Sequence, residues 1–175
     1  MTGLIRGKAI DLIRTPEIGG SRPQVWHDLG CGTGTFTLAL AELLPPGSTI
    51  HALDRNPAAL DHIPGHHHGV HILKTVGDLT HGNLALALAD GVLMANSAHF
   101  LPQPAALFRQ VGRAARQILL VEYELTTPSV WVPYPLPFAR LRAELLGAGA
   151  SRVERLRALP SLYGGTLYSA LAELP

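Results

Sequence analysis

The chain has 175 residues, 47% of them hydrophobic and 15% charged, which is enough for one compact domain and too apolar for a disordered one. Fourteen Lys and Arg against thirteen Asp and Glu leave a net charge of +1, so no broad positive field marks a nucleic-acid or anionic-membrane surface. A single cysteine, Cys31, excludes an internal disulfide and fits a reducing compartment.

Residues 1–14 carry a helical apolar pattern interrupted by Arg6, Lys8, Asp11 and Arg14. They lack the continuous apolar run of a secretory signal. No later window is long and apolar enough to span a bilayer, and the expected setting is the cytoplasm. The N-terminal pattern suits a helix that closes over a ligand as well as one that only packs.

Beyond the break Gly19-Gly20-Ser21-Arg22-Pro23, strand-like runs alternate with helical patterns, which argues for βαβ units and a largely parallel sheet. Residues 25–29 predict a strand and 35–44 a helix stopped by Pro45-Pro46-Gly47. Residues 49–53 predict a second strand. Asn56-Pro57 then reads as an N-cap with proline at the first helical position, opening a helix to about residue 63. A third strand covers 70–76. Residues 83–89 predict a helix, although their Leu/Ala alternation also suits a strand. The wholly apolar run 91–95 predicts a central parallel strand, followed by a helix over 104–111 and a strand over 117–125. Four prolines in 127–137 exclude a regular element there. A helix over 138–146 and two strands, over 151–157 and 166–173, complete the chain. We expect a single domain, with an N-terminal helical segment (1–20), a central α/β core (21–125) and a C-terminal portion of loop, helix and terminal strand pair (126–175).

The most informative stretch is Asp28-Leu29-Gly30-Cys31-Gly32-Thr33-Gly34, between a strand and a helix. Glycines there tolerate positive φ and let a nucleotide approach backbone amides at a helix N-terminus. Asp54 ends the next strand, twenty residues past Gly34, where a carboxylate can accept hydrogen bonds from both ribose hydroxyls. Nicotinamide-dependent oxidoreductases share that much. In them, however, the dinucleotide fingerprint wants a third glycine where this chain has Thr35. Asp28 would also repel a pyrophosphate but attract an ammonium group.

These residues resemble the class I S-adenosylmethionine-dependent methyltransferases. Asp28 through Gly34 is similar to their first motif, Asp54 to their acidic ribose ligand, and Gly77-Asp78-Leu79 to their adenine-contacting segment. Residues 90–97, ending Asn96-Ser97, resemble their fourth strand and the loop beside the transferable methyl. The resemblance implies a three-layer α/β/α, Rossmann-like fold with seven mostly parallel strands, the last antiparallel. It implies S-adenosylmethionine as cofactor and S-adenosylhomocysteine as product. Its cofactor ligands would be Asp28, Gly30, Cys31, Gly32, Gly34, Asp54, Arg55, Asp78, Leu79 and Asn96. The Asn/Asp-Pro-Pro-Tyr/Phe loop of amino-methylating relatives is absent, Asn96-Ser97-Ala98-His99 standing in its place.

His99 is the best candidate for a general base, against a reading as a locally bonded loop histidine. Glu122, Tyr123 and Glu124 come second, and strand alternation turns at least one of them away from the others. Cys31 reads as a small buried hydrophobe more than a reactive thiol. His66-His67-His68, with His62 and His71, reads as a solvated loop and not a metal site, since successive residues cannot all converge on one ion. Trp131, Tyr134 and Phe138 serve equally as an acceptor wall or as a lid or homodimer contact. Arg140, Arg142, Arg152, Arg155 and Arg157 read as a solvated face. The short chain favours a small-molecule acceptor over nucleic acid. A non-catalytic cofactor-binding module stands as a further alternative.

Overall fold

The computed structural model describes residues 2–82, 84–161 and 164–175, with side chains from residue 5 onward. The helices are α1 (Thr2–Ile13), α2 (Thr35–Leu43), α3 (Pro57–Leu60), α4 (Pro104–Val111) and α5 (Phe138–Gly147). The strands are β1 (Val25–Leu29), β2 (Thr49–Asp54), β3 (His66–His67), β4 (Val70–Val76), β5 (Gly91–Ala95), β6 (Gln117–Tyr123), β7 (Arg152–Pro160) and β8 (Thr166–Glu173). All eight join one sheet in the order β3-β4-β2-β1-β5-β6-β8-β7. The five central strands, from β4 to β6, are parallel, while β8 runs antiparallel to both β6 and β7.

Strand alternation sorts the core into two faces. Trp26, Leu93 and Leu119 face α1 and α2, burying Leu12, Ile13 and Leu40. Val92, Met94, Ile118 and Leu120 face α4 and α5, burying Phe108, Val111, Leu141 and Leu145. Each such side chain contributes about 1.5–3 kcal/mol of apolar burial. The central β5 is buried at every position. It must begin with glycine, because a Cβ at Gly91 would sit 2.5 Å from the Trp26 ring.

Four boundaries differ from expectation. Residues 84–88 form no helix, and Asn83 lies outside the described residues. The alternation prevails: Leu84 and Leu86 pack on the core, and side chains capture the backbone carbonyls. Gln110 Nε2 donates to Leu84 O, and His27 Nε2 is 2.9 Å from Ala87 O. Helix α3 stops at Leu60, and tighter turns carry the chain to Ile63, whose side chain closes against Gly34. Strand β6 ends at Tyr123, short of residue 125, and β7 runs on to Pro160.

The eighth strand is also a correction. His66 and His67 are not loop but pair with His71 and Val70. The connecting His68 and Gly69 have φ of 50° and 77°, the double positive φ of a tight type I′ hairpin turn.

Candidate functional site

Strands β1, β2, β4 and β5 point their C-terminal ends to one edge of the sheet. The chain runs outward from β1 through β2 to β4, then returns to β5 on the other side of β1. That reversal opens a crevice past the ends of β1 and β5, where open α/β sheets bind ligands.

The glycine turn forms its floor. Gly30 and Cys31 both donate to Leu53 O, at 2.8 and 3.0 Å, tying the turn to β2. Gly30, Gly32 and Gly34 have φ of 80°, 53° and 89°. A Cβ on Gly30 would lie 2.5 Å from Ser97 Cβ, and one on Gly34 would lie 2.7 Å from Ile63 Cγ1. At Gly32 nothing lies within 4 Å, so its missing side chain leaves open space.

Asp28 is buried at the end of β1. Its Oδ2 accepts the Thr37 hydroxyl at 2.6 Å, while Oδ1 is buried without a hydrogen-bond partner. Burial drives its pKa up to about 7; the Thr37 bond opposes that rise and Asp54 adds to it. Asp54 Oδ2 accepts the Gly32 amide at 2.8 Å and Oδ1 the Asn56 amide at 2.9 Å. Each oxygen retains a further lone pair. Asp78 Oδ1 accepts the Thr80 hydroxyl and amide at 2.7 and 2.8 Å, and these bonds hold its carboxyl below the usual range. Cys31 is buried, its thiol pushed well above the ordinary value by burial and by Asp28 and Asp54.

Three cavities converge here. One of about 380 Å³ lies beside Asp28 and the glycine turn, roofed by Ile5, Lys8 and Leu12 of α1. A second, of about 220 Å³, holds Asp54, Arg55, Asp78 and Leu79. A third, of about 770 Å³, lies among His99, Phe100, Tyr123, Trp131 and Val132. Asn96 lines all three. Its φ is 53°, and its Oδ1 is buried without a hydrogen-bond partner.

His99 and Glu122 form a pair the sequence left separate. The pairing of Ala95 with Val121 brings the end of β6 beside the loop after β5. Glu122 Oε1 accepts the Ala98 and His99 amides at 3.0 and 3.2 Å, and Oε2 is 2.7 Å from His99 Nδ1. With the carboxylate accepting at Nδ1, Nε2 is the nitrogen with the free lone pair. Glu124 points elsewhere, 2.9 Å from Arg155. Thr37 carried no signal in the sequence, and Glu122 was a second-line candidate there whose pairing with His99 only the fold reveals.

Every predicted cofactor residue except Gly34 lines at least one of these cavities. Gly34 instead makes the turn beneath Ile63 and caps α2. The histidine run does acquire a carboxylate, since Glu42 Oε1 is 3.2 Å from His67 Nε2. Glu42, His67 and His68 lie close enough to hold a cation, but the Arg6 guanidinium sits 3.3 Å from the same oxygen. Arg152 likewise meets Glu154 and Glu173, and Arg140 meets Glu144, so acids answer much of the basic set.

Comparison with known proteins fits this arrangement. A family model described as a methyltransferase domain matches residues 27–117, over half of the chain. The chain belongs to this family. The methyltransferase matches no curated protein sequence. Among solved structures it resembles the N-terminal domain of EvdMO1 with SAH bound, at TM-score 0.65 and 18% identity over 99% of this chain and 81% of that one. It spans only 40% of the longer EvdMO1 chain. It also resembles magnesium protoporphyrin IX methyltransferase (ChlM) from Synechocystis PCC 6803 with bound SAH, at TM-score 0.68 and 15% identity over 99% and 83% of the two chains. A putative methyltransferase from an antibiotic biosynthesis pathway of Anabaena variabilis gives TM-score 0.65 and 23% identity, over 90% and 65%. The fold and family expected from the glycine turn are thus those found: a class I, Rossmann-like, S-adenosylmethionine-dependent methyltransferase domain. Among the described residues, no helix of the methyltransferase is long and apolar enough to cross a membrane.

Proposed function

We propose that this chain transfers a methyl group from S-adenosylmethionine to an uncharged, planar small molecule bearing an ionisable hydroxyl. The observation that carries the reading is Asn96, the wall common to the two cavities around the glycine turn and the large aromatic one. A donor filling the first two would end where the acceptor cavity begins.

The residues present fit that donor. Asp28 Oδ1 is a buried acceptor in need of a hydrogen-bond donor, which an α-ammonium supplies. Asp54 keeps a lone pair on each oxygen for the ribose hydroxyls. Asp78, Leu79 and Arg55 surround the space for the base, and Gly30, Cys31 and Gly32 leave the floor free of bulk. Gly34 shapes the turn. A diphosphate would instead meet the Asp28 carboxylate, which argues against a nicotinamide-dependent oxidoreductase.

S-Adenosylmethionine, when bound, supplies an electrophilic methyl on a sulfonium. The chain's own work is to orient the acceptor, and orientation supplies roughly 7–11 kcal/mol in favourable cases. Phe100, Tyr123 and Trp131 offer faces against which a flat acceptor stacks. His99 Nε2 takes the acceptor's hydroxyl proton, and Glu122 holds the imidazole in the tautomer that can do so. Such a base adds about 10²–10⁴-fold. Among the described residues lining this cavity, His99 and the Tyr123 phenol are the ionisable groups and none is an acid, lysine or arginine, which favours a neutral acceptor over nucleic acid. A cytoplasmic setting goes with this reading, supported by the single, buried thiol.

The test is calorimetry with S-adenosylhomocysteine and NADPH, followed by transfer of labelled methyl to a panel of phenols, carboxylic acids, amines and RNA. Binding of S-adenosylhomocysteine with label on phenols is expected. Binding of NADPH instead, or label on RNA alone, would overturn the reading.

A further inference from the structure

Five histidines fall between residues 62 and 71, at one end of the sheet and apart from the three cavities of the crevice. The fold divides them. His66 pairs with His71 across the hairpin, and their rings meet edge-on with centroids 4.4 Å apart. His67 follows His66 on the strand, so alternation turns it to the opposite face. There its Nε2 lies 3.2 Å from Oε1 of Glu42, in the last turn of α2. His68 stands in the turn with φ of 50°, where strand alternation ends, and its ring centroid comes within 4.6 Å of that of His67. One donor atom from each of Glu42, His67 and His68 thus lies within 4.8 Å of the other two.

Successive residues of a strand make poor joint ligands, but the left-handed backbone at His68 removes that objection. Two imidazoles and a carboxylate suit a borderline divalent ion such as zinc, whereas magnesium and calcium prefer oxygen alone. Donors set around a tetrahedral zinc lie about 3.3–3.5 Å from one another. The Glu42–His67 spacing of 3.2 Å is already close to that. The remaining closure falls to the exposed His68 ring, and rotation about its side-chain bonds supplies it. The Arg6 guanidinium also meets Glu42, at 3.3 Å, but the pair is part-exposed and therefore weak. Arg6 and His67 both contact Oε1, which leaves Oε2 for an ion.

We infer that Glu42, His67 and His68 form a binding site for one zinc-class divalent ion, with water in the fourth position. The ion braces an edge of the sheet. Strand β3 is two residues long and is bonded on one side to β4 alone. A metal bridge would tie this short hairpin to α2, the helix that opens directly after the glycine turn. The site stands apart from the methyl-transfer crevice, so it serves stability and not the transfer itself.

Calorimetry with zinc chloride on the full, untagged chain, first stripped with chelator, tests the site. One zinc per chain is expected, and magnesium chloride should give no binding. Zinc at a hundredfold excess over its dissociation constant should raise the thermal midpoint by roughly 5–10 °C. Glu42→Gln and His68→Asn should each weaken zinc about 100-fold or more. Asparagine suits a positive φ ahead of glycine, so zinc-free His68→Asn should melt no lower than wild type. Its loss of zinc then reports a missing ligand and not a misfolded hairpin. The double variant His66→Gln/His71→Gln should bind zinc as wild type does. Absence of saturable zinc binding overturns the site. Wild-type affinity in Glu42→Gln, or a loss in His66→Gln/His71→Gln equal to that in His68→Asn, overturns it as well, since the histidines would then bind only as a nonspecific cluster.

Discussion

The Gly32 amide donates to Asp54 Oδ2 at 2.8 Å, bridging twenty-two residues of chain and binding the glycine turn to the acid that ends β2. The turn and the acid are therefore one unit, and its three glycines divide the work. Gly30 and Gly34 admit close neighbours, whereas Gly32 borders open space.

That division predicts opposite phenotypes. Gly30→Ala drives a methyl into Ser97 at a positive φ and should cost about 2–4 kcal/mol of stability. Gly32→Ala meets only the backbone penalty of about 1–2 kcal/mol, yet its methyl intrudes on the cavity. Denaturant titration with calorimetry should show Gly30→Ala losing stability and Gly32→Ala losing at least tenfold in S-adenosylhomocysteine affinity.

Asp28 makes ligand binding depend on pH. Its folded pKa of about 7 lies above the ordinary value of 3.8. Burial of the charged form thus opposes folding, and the stability present at low pH is lost as pH rises through about 7. An ammonium ligand needs that same charged form. Between pH 4 and 7 the ligand-free midpoint should fall and then level off, while the shift induced by S-adenosylhomocysteine grows. Asp28→Asn should flatten both trends and weaken binding by more than tenfold, measured by thermal melts across buffers.

Much of this site was legible because it is local. Asp28 through Gly34 form one continuous segment, and Asp54 ends the next predicted strand. The Glu122–His99 pair was not legible as a pair, since it depends on β5 and β6 lying side by side in a particular register. The Thr37 hydroxyl reaches back from the first turn of α2 to β1, and no spacing rule announces that contact. Residues 84–88 misled because two periodicities coexist there, and the tertiary neighbours Gln110 and His27 decided between them. The β3 hairpin was not legible because a two-residue strand of successive histidines carries no alternation of its own and exists only through its pairing with β4.

Glu122 separates a proton-transfer role from a purely structural one. Glu122→Gln keeps an oxygen for the Ala98 and His99 amides but presents an N–H to His99 Nδ1, which shifts the ring proton to Nε2. With a phenolic acceptor, turnover should fall about 10²-fold or more, with S-adenosylhomocysteine affinity unchanged. His99→Gln should fall equally, and the double variant no further. A kcat equal to wild type in Glu122→Gln would reduce the pair to an anchor for its loop.

Trp131 is 82% exposed, so its ring contributes little to folding. Trp131→Ala should leave the melting temperature in place. If the ring stacks on the acceptor, KM for that acceptor should rise about 2–10-fold at constant kcat. Steady-state kinetics with the best phenol from the panel would measure both.

The proline-rich wall of the large cavity contributes no strand to the sheet. Residues 127–137 are tied down by a few bonds, among them Tyr134 N to His99 O at 3.0 Å and the Tyr168 hydroxyl to Leu136 O at 2.5 Å. Exchanging the residues ahead of those tethers leaves every rung of β1, β2, β4 and β5 intact. Descendants of this protein can therefore diverge in what they modify while inheriting the same donor chemistry, and an engineer can graft new loops at 127–133 without rebuilding the scaffold.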